Sequence, residues 1–140
     1  CVSRLIVSGA LDHLPKLKLL VAHAGAALPG LIGRLDSCVA HDIAIANNLH
    51  DTPTEYLKRM YFDAISYSTP ALQALIDTVG DDRIMFGTDN PFFPPPGVKE
   101  EDIHTALWPS TEKVYTVMDP LSQQTKDKIL RGTAKELLGI

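Results

Sequence analysis

Three short apolar runs constrain this chain more than any other feature: Leu19 to Ala22, the segment MYFDAI at 60–65, and Ile84 to Phe86. Each is too short for a helix and suits a strand covered on both faces. Helix-forming sequence follows each run, so the strands are expected to be parallel neighbours joined by right-handed crossovers. Two α/β architectures satisfy that order. One is a small doubly wound sheet. The other is the closing part of an eight-stranded (β/α) barrel, which in complete form needs about 250 residues. The chain has 140 residues and carries neither GxGxxG nor GxxxxGK[ST], the phosphate loops that would favour the doubly wound alternative.

Between the runs the periodicity is helical. Leu5, Ile6, Ala10, Leu11 and Leu14 fit one buried face of a helix over 4–14, which Pro15 stops. From Pro29 onward, GLIGRLDSCVAHDIAIA predicts a helix with Leu31, Leu35, Cys38 and Val39 inward. Thr52-Pro53-Thr54-Glu55 reads as a capping box with proline at the first helical position. Thr69-Pro70 marks another helix start, with a stripe of Leu72, Leu75, Ile76 and Val79 ended by Gly80. Further on, KEEDIHTALW (99–108) predicts a short helix with Ile103 and Leu107 inward, and Trp108, Tyr115, Val117 and Met118 are expected to pack. Asp119-Pro120 is expected to cap LSQQTKDKIL, and Thr133 to Glu136 to form a capping box for a terminal helix.

With 45% hydrophobic and 21% charged residues, the chain can bury a sizeable core. Its formal net charge of -4, with Lys and Arg scattered, gives no nucleic-acid footprint. No apolar run reaches the roughly 18 residues of a membrane span and no signal peptide is legible, so a cytoplasmic protein without membrane contact is expected. Cys1 and Cys38 make neither a disulfide framework nor a metal spacing. Because Cys1 stands where a full-length chain carries Met, the chain is expected to be cut, processed or excerpted.

Chemistry in α/β folds collects at the C-terminal ends of strands. There the sequence puts His23, Asp63 and, in RIMFGTDNPFFPPP (83–96), Asp89. Ala24, Gly25, Ala26 and Ala27 leave open volume beside His23, which is either structural or functional. Asp63 is expected to accept backbone hydrogen bonds, with a place in the site as the alternative, because an unpartnered buried carboxylate is costly. Arg34, in the first turns of its helix, opposes the helix dipole unless an anion compensates it. A surface role and carboxylate binding are both open. His13, His41 and His50 are expected at the surface. If His23 and Asp89 share a strand face they could hold a divalent ion together, since imidazole and carboxylate suit Zn2+ or Mn2+. Alternatively, His23 transfers a proton while Asp89 holds the metal. Two ligands do not make a tight zinc site, and no HxH, HExxH or CxxC supplies the remainder.

In order and spacing, four segments resemble the C-terminal portion of the metal-dependent decarboxylases of the amidohydrolase superfamily. They are LKLLVAHAGAALPGLIGR (17–34), YLKRMYFDA (56–64), DDRIMFGTDNPFF (81–93) and RGTAKELLG (131–139). The group includes aminocarboxymuconate semialdehyde, γ-resorcylate and isoorotate decarboxylases, and the likeness covers most of 4–140 apart from 97–118. It implies a distorted (β/α)8 barrel. Residues 1–140 would be a partial domain with three parallel strands, the sixth to eighth, and the N-terminal strands missing. The implied activity is non-oxidative loss of CO2 from an aromatic, pyrimidine or unsaturated carboxylic acid, with a divalent metal, Zn2+ or Mn2+, as cofactor. Asp89 matches the family's metal-binding aspartate, and His23 a histidine that positions or protonates substrate beside the metal. Phe92 matches an aromatic residue that packs against substrate. Arg34 matches an arginine that reaches a substrate carboxylate across a homodimer interface.

The family's first-strand HxH or ExH pair and its fifth-strand histidine have no counterpart here. As an entire molecule the chain is therefore expected to fail in metal catalysis and to expose sheet edges prone to pairing. Two alternatives accompany the decarboxylase reading. One is metal-dependent hydrolysis of a lactone or related carbonyl, as in other superfamily members. The other is a catalytically inactive barrel remnant with a role in assembly.

Overall fold

The computed structural model describes residues 1–140. The three apolar runs form one sheet, β1 (Leu20–Val21), β2 (Tyr61–Asp63) and β3 (Ile84–Met85), in that spatial order. Both pairings are parallel, with Leu20 opposite Tyr61 and Phe62 opposite Ile84. Consecutive strands lying side by side make the wall of a barrel, whereas a doubly wound sheet reverses its strand order. The wall does not close on itself, and the architecture is that of a partial (β/α) barrel.

Phe62 and Ile84 are fully buried, as expected of strands covered on both faces. β1 departs from that expectation. Leu20 is 55% exposed because β1 has a neighbour on one side only. The far edge of β3 is covered instead: the Phe86 N–H donates to the Ile129 carbonyl at 2.8 Å, in the π-helical turn Lys128–Gly132.

The helix expected over 4–14 is two, α1 (Val2–Val7) and α2 (Ala10–His13), because Gly9 turns left-handed between them at φ 72°. Ile6 and Leu11 reach the core, but Leu14 is exposed. α3 spans Leu28–His41 and buries Ile32 and Val39, with Leu28 and Leu35 against the core. Leu31 and Cys38 point outward, contrary to the expected face. The segment carries two adjacent apolar stripes, and 28/32/35/39 is the one packed inward. After α4 (Ile43–Ala46), α5 (Pro53–Lys58) starts as expected, with the Glu55 N–H donating to the Thr52 hydroxyl at 3.3 Å. Glu55 does not complete a capping box; its carboxylate pairs with Lys58 at 2.7 Å. Asp36 of α3 instead accepts from the Thr54 N–H and hydroxyl, tying the two helices together.

α6 (Thr69–Val79) buries Leu72, Leu75 and Val79, and its cap is Ser68 rather than Thr69. The helix expected at 99–108 is a single 3-10 turn, Glu100–Asp102, and Leu107 is exposed. Helix formation waits until Pro109, whose fixed φ opens α7 (Pro109–Met118). Ser122, not Asp119-Pro120, caps α8 (Gln123–Asp127). α9 (Thr133–Leu138) continues directly from the π-helical turn, so Thr133 is already helical and makes no capping box.

Tyr56, Leu57, Phe62, Leu72, Leu75 and Ile84 form the centre of the core. The Tyr56 hydroxyl donates to Asp12 at 2.5 Å and accepts from the His50 N–H at 3.0 Å, which ties α2 to α5. Burial would raise the Asp12 pKa, but these hydrogen bonds and the charges of His50 and Arg59 leave it lowered. The His50 side chain itself is exposed, as expected. No helix is long and apolar enough to cross a membrane.

Candidate active site

Parallel pairing sends the C-terminal ends of β1, β2 and β3 to one edge of the sheet, and the candidate residues follow them. Beyond β1 the backbone turns left-handed at His23 (φ 57°), Ala24 (φ 50°), Gly25 (φ 71°) and Ala26 (φ 52°). Three of those four residues carry a Cβ, which makes this conformation costly. Asp63, at the exit of β2, holds the turn. One carboxylate oxygen accepts from the His23 N–H at 3.0 Å, and the other from the Ala24 and Ile65 N–H groups, each at 3.0 Å. Two successive N–H groups converging on one anion make a small backbone nest. Asp63 thus takes the loop-orienting role that the sequence suggested, and His23 is left exposed at the sheet edge.

Beyond β3 the chain passes through Gly87 to Asp89. A Cβ at Gly87 would stand 2.9 Å from the Ile65 side chain, so only glycine allows the β2 and β3 exits to approach this closely. Asp89 is left-handed at φ 66° and half-buried. Its loop is clamped by Trp108, the residue before α7, and by Ser110 in the first turn of that helix. The Ser110 hydroxyl donates to the Thr88 carbonyl at 2.6 Å, and the Trp108 indole N–H donates to the Phe92 carbonyl at 2.7 Å. Within the loop, the Phe92 N–H closes a turn onto the Asp89 carbonyl at 2.7 Å.

The residue that sequence reasoning missed is Tyr67, in the loop after β2. Its hydroxyl donates to Asp89 Oδ2 at 2.7 Å, and its ring meets Phe93 edge to face. Tyr67 lies five residues after Phe62, the register partner of Ile84, in a loop with no periodicity to mark it. Desolvation of its hydroxyl and the hydrogen bond to Asp89 push the Tyr67 pKa up from 10.0 to about 12. A raised folded-state pKa contributes stability that is complete below pH 10 and lost as pH rises towards about 12. Phenolate absorbance should therefore show Tyr67 ionising near pH 12, and Asp89→Asn should move that step back towards 10. An unchanged titration in Asp89→Asn would disprove the coupling.

Arg34 is exposed on α3, past its first turn, so the dipole argument made from sequence has little force there. None of the ion pairs within the chain includes it. Phe92 presents a ring that is 65% exposed on a backbone fixed by Trp108, while Phe93, not Phe92, stacks on Tyr67.

No group of three or more His, Cys, Asp or Glu side chains in the chain could hold a metal ion. His23 and Asp89 follow β1 and β3, strands separated by two spacings or about 10 Å. The carboxylate between them, Asp63, is committed to backbone N–H groups. Asp89 Oδ1 has no donor from within the chain and the His23 ring makes no hydrogen bond, but two donors fall short of the three protein ligands of a catalytic zinc. These residues alone do not fit a complete metal centre.

The sequence profile of the Amidohydrolase family matches residues 2–140. The 2-amino-3-carboxymuconate-6-semialdehyde decarboxylase of Dictyostelium discoideum is 30% identical over 142 residues, covering 99% of this chain and 36% of that protein. Among solved structures, the IDCase of Metarhizium anisopliae in apo form has a TM-score of 0.83 at 34% identity, over 99% of this chain and 38% of the other. A 5-carboxyvanillate decarboxylase variant from Novosphingobium aromaticivorans, with bound manganese and 3-methoxy-4-hydroxy-5-nitrobenzoic acid, has a TM-score of 0.74 at 25% identity, over 99% and 38% of the two chains. The chain spans little more than a third of the length of these relatives. With a profile match running from residue 2 to residue 140 and the strand order of a barrel wall, the chain belongs to the amidohydrolase family.

Proposed function

We propose that the chain supplies the last three strand-helix units of a metal-dependent, non-oxidative decarboxylase acting on an aromatic carboxylic acid. The observation that carries this reading is Asp89: a half-buried carboxylate at a barrel-strand exit, fixed through one oxygen by Tyr67 and open at the other. In this proposal Asp89 is one ligand of a divalent ion, Mn2+ or Zn2+, whose other ligands come from further residues of the same protein. The manganese bound by the 5-carboxyvanillate decarboxylase supports that choice of metal. A divalent ion in such a site stabilises charge that develops on substrate oxygens.

The chain's own residues then bind and orient. His23, exposed and without a hydrogen bond to its ring, holds or delivers a proton beside the substrate. Phe92 packs its anchored, exposed ring against the substrate. Arg34, free of carboxylates within its own chain, takes a substrate carboxylate in a neighbouring subunit of a homodimer.

The test is CO2 release by the full-length protein from a panel of hydroxybenzoic acids and 2-amino-3-carboxymuconate semialdehyde. Release from an aromatic acid is expected, abolished by a chelator and restored by manganese. Lactone hydrolysis without CO2 release, or release indifferent to the chelator, would overturn the proposal.

A further inference from the structure

The left-handed turn of His23, Ala24, Gly25 and Ala26 is held by two neighbouring side chains of β2, Phe62 and Asp63. Asp63 accepts from the His23 and Ala24 N–H groups at 3.0 Å each. The Phe62 ring lies so close to Gly25 that a Cβ there would stand 3.1 Å from its Cε1 atom. Gly25 is also left-handed at φ 71°, so the position favours glycine on two counts. Strained backbone persists only where its surroundings over-determine it, and it gathers at functional sites. Of the four residues in the turn, only His23 carries a polar side chain. What the strained turn can aim is therefore one imidazole.

Asp63 also reaches the other two strand exits. The oxygen that accepts from Ala24 accepts from the Ile65 N–H as well. Ile65 in turn limits the exit of β3, because a Cβ at Gly87 would stand 2.9 Å from the Ile65 side chain and 3.6 Å from the Asp63 Cβ. Between Asp63 and Ile65, the Ala64 N–H donates to the Met85 carbonyl at 2.7 Å, which fixes β2 against β3 at this edge. Asp89 follows Gly87 by two residues. A single carboxylate is thus bonded to the backbone that leaves β1 and β2 and lies beside the backbone that leaves β3.

We propose that Asp63 is a positioning residue for decarboxylation: its carboxylate fixes the His23 imidazole relative to Asp89, so that the two groups address the same substrate. The inference rests on the decarboxylase reading and deepens it. Asp63 touches neither substrate nor metal and acts through His23. Misplacing a reacting group by about 1 Å costs about 100-fold in rate. The loss falls on kcat, because the contacts that bind the substrate stay in place.

The test uses the full-length, manganese-loaded protein and the hydroxybenzoic acid that the wild type decarboxylates fastest. Asp63→Asn is expected to lower kcat about 10- to 100-fold, with KM within about twofold of the wild type and bound manganese unchanged. Two double variants separate positioning from stability. His23→Gln removes the group that Asp63 aims, so adding Asp63→Asn to it should cost less than about twofold more. Adding Ala26→Gly to Asp63→Asn relieves strain and should raise the melting temperature, yet kcat should stay low, because glycine loosens the turn without aiming it. The same loss from Asp63→Asn with and without His23, or kcat recovering together with the melting temperature in the glycine variant, would overturn the inference. Failure of the underlying reading looks different: the wild-type protein itself would release no CO2 from any aromatic acid, and the inference would fall with it.

Discussion

Replacing Asp89 by Ala in the full-length, manganese-loaded protein is expected to lower both bound metal and CO2 release by more than about 100-fold. Residues that only orient a metal ligand cost about 10–100-fold when mutated, so removing a ligand should exceed that range. Ala at this position also carries a backbone cost, because Asp89 is left-handed at φ 66°. Asp89→Asn separates the two effects, since Asn tolerates the left-handed region and keeps the side-chain shape. It should therefore match Ala in metal and activity while melting close to the wild type. Tyr67→Phe removes the hydrogen bond to Asp89 Oδ2 without touching the carboxylate, and a loss of about tenfold, the lower end of the orienting range, is expected there. Metal content and CO2 release both at wild-type level in Asp89→Ala would sink the assignment of Asp89 as a ligand.

The parts of the site that could be read from sequence are those that depend on strand position. Short apolar runs locate β1, β2 and β3, parallel pairing aligns their ends, and His23, Asp63 and Asp89 fall at one edge without further information. Asp63 was legible by a different route, since a carboxylate at a buried strand exit needs donors. What escaped depends on contacts between loops. Tyr67 reaches Asp89 across 22 positions, and Ser110 reaches Thr88 across the same separation. No local spacing encodes such pairs. The inward face of α3 is ambiguous for a related reason: both stripes have helical period, and packing against the rest of the core decides between 28/32/35/39 and the expected 31/35/38/39, which share Leu35 and Val39. The apolar composition of β1 suits a covered strand, while its exposure depends on what lies along its open edge.

The second large effect is expected at Asp63, where Asp63→Ala should destabilise the chain by about 3 kcal/mol and release the His23 turn. Each hydrogen bond to a charged group is worth about 1.5–3 kcal/mol, and three N–H groups lose their acceptor together. Water replaces part of that at His23, which is exposed, but less at Ala24, which is 4% exposed. Asp63→Asn is the sharper experiment. Its single amide oxygen can serve Ala24 and Ile65, but its NH2 group then faces the His23 N–H, donor against donor. Asn is therefore expected to lose more than half of what Ala loses, although it nearly preserves the shape of the side chain. If Asp63→Asn melts like the wild type, the carboxylate is not what holds the turn. Glycine provides the converse test. Ala26 sits at φ 52° and ψ -116°, a region that glycine occupies without a Cβ penalty. Ala26→Gly in the Asp63→Asn background should thus restore about 1 kcal/mol, the cost of holding an L-residue left-handed. Rescue by glycine would mean that Asp63 counteracts strain in the His23 turn. Without rescue, the contribution of Asp63 would lie in the hydrogen bonds alone.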